Sequence, residues 1–134
     1  MPPKKVAVKR TVRLRKIATD LRAYAMGFPG ATEDFPWGER VAKVNGKVFV
    51  FLGADPVARA GLGLSVKLPI SCEEALELPF TRPTAYGLGK AGWVSASFGP
   101  KDAPPVAILK SWIEESYRSI APKKLLADLD RSGV

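Results

Sequence analysis

The chain has 134 residues, 21 Lys and Arg against 13 Asp and Glu, and a formal net charge of +8. With one cysteine and no histidine, it excludes an internal disulfide, a His-bearing zinc site, a Ser-His-Asp or Cys-His pair and a histidine general base. It shows neither a membrane-spanning run nor an apolar signal core. The expectation is a cytoplasmic single-domain protein that buries roughly two thirds of its unfolded surface.

The charge sits mostly at one end. Residues 1–16 carry Lys4, Lys5, Lys9, Arg10, Arg13, Arg15 and Lys16 with no acid, and the remainder, with 14 basic and 13 acidic residues, is close to neutral. Residues 1–10 read as a basic, flexible tail ahead of a single domain over 11–134. Such an arm either aids solubility or lies on phosphate.

After the tail, Val12, Leu14, Ile17, Ala18, Leu21, Tyr24, Ala25 and Phe28 recur at helical spacing. The amphipathic helix they predict stops near Gly27, where a C-cap glycine is followed by Pro29. Thr32 to Trp37 predicts an edge strand interrupted by Pro36, and Trp37-Gly38-Glu39 a turn. From Arg40 to Leu52, Asn45-Gly46 separates two β-branched and aromatic runs, the preferred residues of a two-residue type I′ hairpin. An uninterrupted hairpin pairs Val44 with Lys47, Lys43 with Val48, Ala42 with Phe49, Val41 with Val50 and Arg40 with Phe51. Its second strand is apolar on both faces and is expected near the sheet centre.

Residues 54–61 read as a loop, and Leu62, Leu64, Val66 and Leu68 alternate with smaller or polar residues as in a half-buried strand. Ser71-Cys72-Glu73-Glu74 reads as a capping box opening a short helix to about Leu78. A Gly-rich link leads to a strand over Trp93–Phe98. Beyond the turn at Gly99–Pro105, Val106, Leu109, Trp112, Ile113, Tyr117 and Ile120 mark a second long amphipathic helix. Pro122 suits the first turn of a last helix holding Leu125, Leu126 and Leu129. The order lacks regular strand-helix-strand alternation and predicts an α+β fold in two layers, an antiparallel sheet with helices packed on one face. With the helices over Leu64, Val66, Val94 and Ala96, the open face presents Lys67, Trp93, Ser95 and Ser97.

Gly87-Leu-Gly-Lys-Ala-Gly92 is a literal G-x-G-x-x-G, but a strand follows it where a dinucleotide site needs a helix, so it reads as a loop. Its glycine amides with Thr84, Tyr86 and Lys90 offer at most an anion-holding loop. Cys72, beside two glutamates and without a histidine base, reads as an incidental thiol. Glu33, Asp34 and Glu39 match no carboxylate metal loop and read as a solvated edge with a stabilising turn, with an acid/base pair or a cation-holding cluster as the alternative. Trp37, Phe49, Phe51 and Trp112 read as core. No catalytic constellation, metal site or cofactor motif stands out, and the chain is expected not to be an enzyme.

For nucleic acid the candidates are Lys4, Lys5, Lys9 and Arg10 in the arm, Arg40, Lys43 and Lys47 on the hairpin, and Lys67 and Lys90 elsewhere. Lysines that guard a hairpin edge against aggregation are the ordinary alternative. For a small anionic ligand the candidates are Lys67, Tyr86 and Trp93 on the open sheet face.

The run Leu21–Gly38, then Lys43-Val-Asn-Gly-Lys-Val-Phe49, Leu64-Ser-Val-Lys-Leu-Pro69, Tyr86-Gly-Leu-Gly-Lys-Ala-Gly-Trp93 and Trp112-Ile-Glu-Glu-Ser-Tyr-Arg118, resembles the MmcQ/YjbR family of small bacterial proteins. The resemblance implies a two-layer α+β fold similar to secretion chaperones. It also implies a double-wing surface likened to that of a phage transcription factor, for which the family is called DNA-binding. The Asn45-Gly46 hairpin and the strand after Lys90 would be the wings. No catalytic or ligand residue carries over. The expected function is non-enzymatic DNA binding, with the arm on phosphate and the open face in the groove, and without cofactor or membrane. The alternative is a module that binds a protein or a small anion on that face.

Overall fold

The computed structural model describes residues 4–53 and 61–131, apart from the side chains of residues 4–11 and of Trp37. The loop expected over 54–61 therefore falls almost wholly outside the described residues, as does the start of the tail. Helix α1 spans Lys4–Met26, reaching back through positions 4–10, where a flexible arm was expected. Lys, Arg and Ala are strong helix formers, so the helix continues beyond the apolar stripe that identified it. It ends as expected: Gly27 donates its N–H to Ala23 and Tyr24 carbonyls at 3.1 and 3.2 Å, before Pro29 bars further helix.

Six strands follow, β1 (Thr32–Asp34), β2 (Arg40–Val44), β3 (Lys47–Gly53), β4 (Leu62–Lys67), β5 (Thr81–Pro83) and β6 (Trp93–Phe98). They form one antiparallel sheet in the order β1-β2-β3-β4-β6-β5. Helix α2 (Cys72–Leu76) lies between β4 and β5, and α3 (Val106–Ile120) and α4 (Lys123–Arg131) follow β6. The architecture is α+β, with an open antiparallel sheet whose one face is covered by helices. β3 lies inside the sheet, as its two apolar faces required.

At the β2–β3 turn, Asn45 and Gly46 take φ of 53° and 76°, the left-handed pair a type I′ turn demands. The register beyond it differs from an uninterrupted hairpin. Val44 pairs with Lys47 and Lys43 with Val48, but Ala42 then pairs with Val50, Val41 with Phe51 and Arg40 with Gly53. Two irregularities in β3, each adding a residue, produce the shift. The first leaves Phe49 outside the pairing and fully buried in the core. Alternation alone gives no sign of such insertions, because tertiary packing of Phe49 rewards them.

β5 and a 3-10 turn over Leu88–Ala91 arise where the sequence showed only a Gly-rich link. A three-residue strand ending in proline has no periodicity of its own. β5 is held by its pairing with β6 and by Thr81, whose hydroxyl donates to the Ala75 and Leu78 carbonyls at 2.7 and 2.9 Å. The local capping box is also replaced. The Ser71 hydroxyl makes no cap bond to α2 and donates instead to Glu115 Oε1 at 2.6 Å, while the N–H groups of Ile70 and Ser71 donate to Glu115 Oε2 at 3.0 Å. A carboxylate on α3 thus takes the Ser71 amide that the local motif assigns to Glu74, and the Ile70 amide beside it.

The core lies between helices and sheet. Leu14, Leu21 and Ala25 of α1 and Leu109, Ile113 and Tyr117 of α3 are fully buried against Val50, Val66 and Val94. Phe28 stacks on Tyr117 at 4.6 Å, and Phe49 stands edge-on to Tyr117 at 5.3 Å. The Tyr117 hydroxyl donates to the Pro29 carbonyl at 2.6 Å, pinning the turn after α1. Burial, followed by Asp128, raises its pKa, which keeps that donor protonated. Ser116 bridges β3 and β4 where their ladder stops. Its hydroxyl accepts from the Lys67 N–H at 2.9 Å and donates to the Phe49 carbonyl.

Candidate functional site

The positive charge divides into two regions. On α1, Lys4, Lys5, Lys9, Arg10, Arg13, Arg15 and Lys16 occupy one continuous helix with no acid before Asp20. At 3.6 residues per turn, positions 5, 9, 13 and 16 fall on one stripe, away from the line of the buried Leu14, Leu21 and Ala25. On β2, the first strand of the hairpin, both cations stand beside acids. Lys43 Nζ lies 2.9 Å from Asp34 Oδ2. Glu33 pairs with Arg22 of α1 and stands 3.8 Å from Arg40, whose guanidinium lies 5.4 Å above the Phe35 ring.

Asp34 lies exposed on the edge as expected, and both Glu33 and Asp34 in addition form ion pairs with cations of neighbouring elements. The Lys43 contact, then the Phe35 backbone N–H, holds the Asp34 carboxyl below its ordinary pKa. Lys47 at the hairpin tip and Lys90 in the 3-10 turn are exposed, and Lys67 is half-buried. The structure does not gather Arg40, Lys43, Lys47, Lys67 and Lys90 into a single unpaired cluster.

The open face departs from expectation at Trp93. Only 8% of this residue is exposed, and its ring packs edge-on to Phe51 at 5.4 Å. Phe51 is half-buried on this face rather than in the main core. Trp93 is therefore unavailable for stacking on a base or ligand, because its cross-face neighbour is an aromatic that local alternation assigns elsewhere. Phe49 and Trp112 are core as expected. Cys72 is half-buried against the core.

Beside Phe51 the same face forms a groove of about 310 Å³. Its floor follows the register of four strands, since Phe51 pairs with Ser65, Ser65 with Ser95 and Ser95 with Arg82. The next row holds Gly63 paired with Ser97, beside Gly53. Hydroxyls link the floor: Ser65 to Ser95 at 2.7 Å, Ser95 to Thr84 at 2.9 Å, and Arg82 Nη1 donating to Ser97 Oγ at 2.7 Å. Tyr86 and Leu88 form one wall and Glu39 also borders the space. Of the three residues that the sequence suggested for a small anion, Tyr86 reaches this groove, while Lys67 and Trp93 lie outside its lining.

A family model described as YjbR matches residues 26–119, well over half of the chain. The chain belongs to the YjbR family. The matched region contains the whole sheet, the groove and α3 but for its last residue, and leaves nearly all of α1 outside. The fold resembles the crystal structure of Deinococcus radiodurans protein DR2400, a DUF419 domain, with a TM-score of 0.62 and 24% identity over 79% of each chain. No curated protein matches. Among the described residues no group of three or more His, Cys, Asp or Glu side chains is arranged to hold a metal, and no helix is long and apolar enough to cross a membrane. The G-x-G-x-x-G segment of this YjbR chain precedes β6 and contains the 3-10 turn, with Gly87 and Gly92 at φ 77° and 89°, as a loop reading requires.

Proposed function

We propose that this YjbR protein is a non-enzymatic DNA-binding protein whose principal phosphate contacts come from the first half of α1. The observation that carries the reading is a helix bearing seven cations and no acid over residues 4–16, anchored to the domain through the buried Leu14 and Leu21. A helical rod with such a stripe follows the phosphates of a duplex without reading base edges, so binding depends steeply on salt and discriminates sequence modestly. The exposed Lys47 at the hairpin tip and Lys90 in the 3-10 turn add phosphate contacts, whereas Lys43, paired with Asp34, adds little, and Arg40, which shares the Glu33 carboxylate with Arg22, adds less than a free cation.

The test is binding of a labelled random duplex by the full chain and by its Lys5→Gln/Lys9→Gln/Arg13→Gln/Lys16→Gln variant across a salt series. Each lost contact lowers the log-affinity against log-salt slope by about 0.9, so the variant is expected to lose up to about 4 units. An unchanged slope would overturn the assignment to α1, and no binding by the full chain would overturn the function.

A further inference from the structure

We propose that the groove on the helix-free face is a binding site for a small planar monocarboxylate, separate from the DNA contacts of α1. Its volume of about 310 Å³ lies at the lower end of small-molecule pockets and suits a single-ring or fused-ring metabolite rather than a dinucleotide. The floor is flat because the sheet presents Gly53, Gly63 and serines there. A ring can lie directly on it, with its edge against Phe51.

Charge selects the ligand class. Arg82 is exposed on the short edge strand β5, and its guanidinium is already oriented by Ser97, leaving donors of the planar fork for a carboxylate. Among the described residues the lining holds one cation, Arg82, and one anion, Glu39, a balance that disfavours a dianionic phosphate. The linked hydroxyls of Ser65, Ser95 and Thr84 supply acceptors and donors for polar substituents on the ring.

Tyr86 gives an independent indication. It is a non-glycine residue at φ 61° with a fully exposed side chain. An aromatic residue held in the left-handed region is strained, and no burial of the ring offsets that strain. Placed at the rim of the groove, the ring is free to close over a bound planar ligand.

The experiment follows backbone amide resonances of the full chain by NMR during titration with benzoate and indole-3-carboxylate, with benzamide and phenyl phosphate as controls. The expected result is saturable shifts of Gly63, Ser95 and Ser97 by at least one carboxylate, with both controls about tenfold or more weaker. Arg82→Gln is expected to weaken carboxylate binding by about tenfold to a hundredfold, the range for a hydrogen bond to a charged group. Gly63→Val fills the floor. Among the described residues a Cβ there meets only the Ala96 carbonyl, at 4.0 Å, and it needs no unusual φ, so this variant is expected to lose binding while its thermal midpoint is retained. The proposal is overturned if neither carboxylate shifts these resonances at up to roughly 10 mM, if phenyl phosphate binds better, or if Arg82→Gln binds as the parent does.

Discussion

The first turns of α1 and the β1–β2 edge are both rich in cations, and they differ in what stands beside those cations. Along α1 no acid occurs from Lys4 to Lys16. On the edge, sheet pairing brings Asp34 opposite Val41 and Glu33 opposite Ala42, which puts a carboxylate within reach of both Lys43 and Arg40. A cation already matched by a neighbouring strand exchanges one partner for another on meeting phosphate and gains little. The number of Lys and Arg residues is therefore a poor measure of the charge that a surface offers. Its compensation depends on strand register.

The largest effect that would break this contrast concerns the anchor of α1. Leu14 is fully buried at the point where the cationic stretch meets the core, and Leu14→Ala is expected to cost about 2–5 kcal/mol in urea unfolding. A loss well below about 1 kcal/mol, which is less than an ordinary buried leucine contributes, would mean that the helix is not docked there and that the stripe has no fixed relation to the domain.

Removing the acids of the edge sharpens the contrast from the other side. Glu33→Gln with Asp34→Asn releases Arg22, Arg40 and Lys43, and is expected to steepen the salt dependence of duplex binding by up to about 3 units, at roughly 0.9 per new contact. No change would show that the hairpin faces away from DNA altogether.

The smallest effect lies in a single titration. Asp34 has a depressed pKa, first through its hydrogen bond from Lys43. Its contribution to stability is present above the ordinary value of 3.8 and is lost as pH falls through the lower folded value. In Lys43→Ala the Asp34 carboxyl resonance is expected to titrate closer to 3.8. An unmoved midpoint would assign the shift to the Phe35 N–H, the second bond that carboxylate accepts.

Much of the fold was legible in particular residues. The Asn45-Gly46 turn, the alternation through Leu62–Lys67, and the stripes of α1 and α3 are short-range signals, because each element's own periodicity shows which face it must bury. The groove was only partly legible. Ser95 and Ser97 were expected on the open face, but Arg82, Thr84, Ser65 and Phe51 join them only through pairings between strands distant in sequence. Tyr86 was singled out, although its backbone strain has no sequence signature. Trp93 was expected to be open because alternation reports which side of a strand a residue occupies and says nothing of what covers that side.

By itself the sequence determined the α+β class, the order of the main elements, family membership through ordered motifs, and the concentration of positive charge at residues 1–16. These follow from local periodicity, turn chemistry and charge counting, which need no partner distant in the chain. Tertiary structure alone decided the shifted β2–β3 register, the Glu115 clamp on Ile70 and Ser71, the Ser116 bridge, the pairing of Lys43 with Asp34 and the groove. Each of these joins residues whose meeting depends on how strands and helices pack, and the free energy of that packing is shared over the whole core.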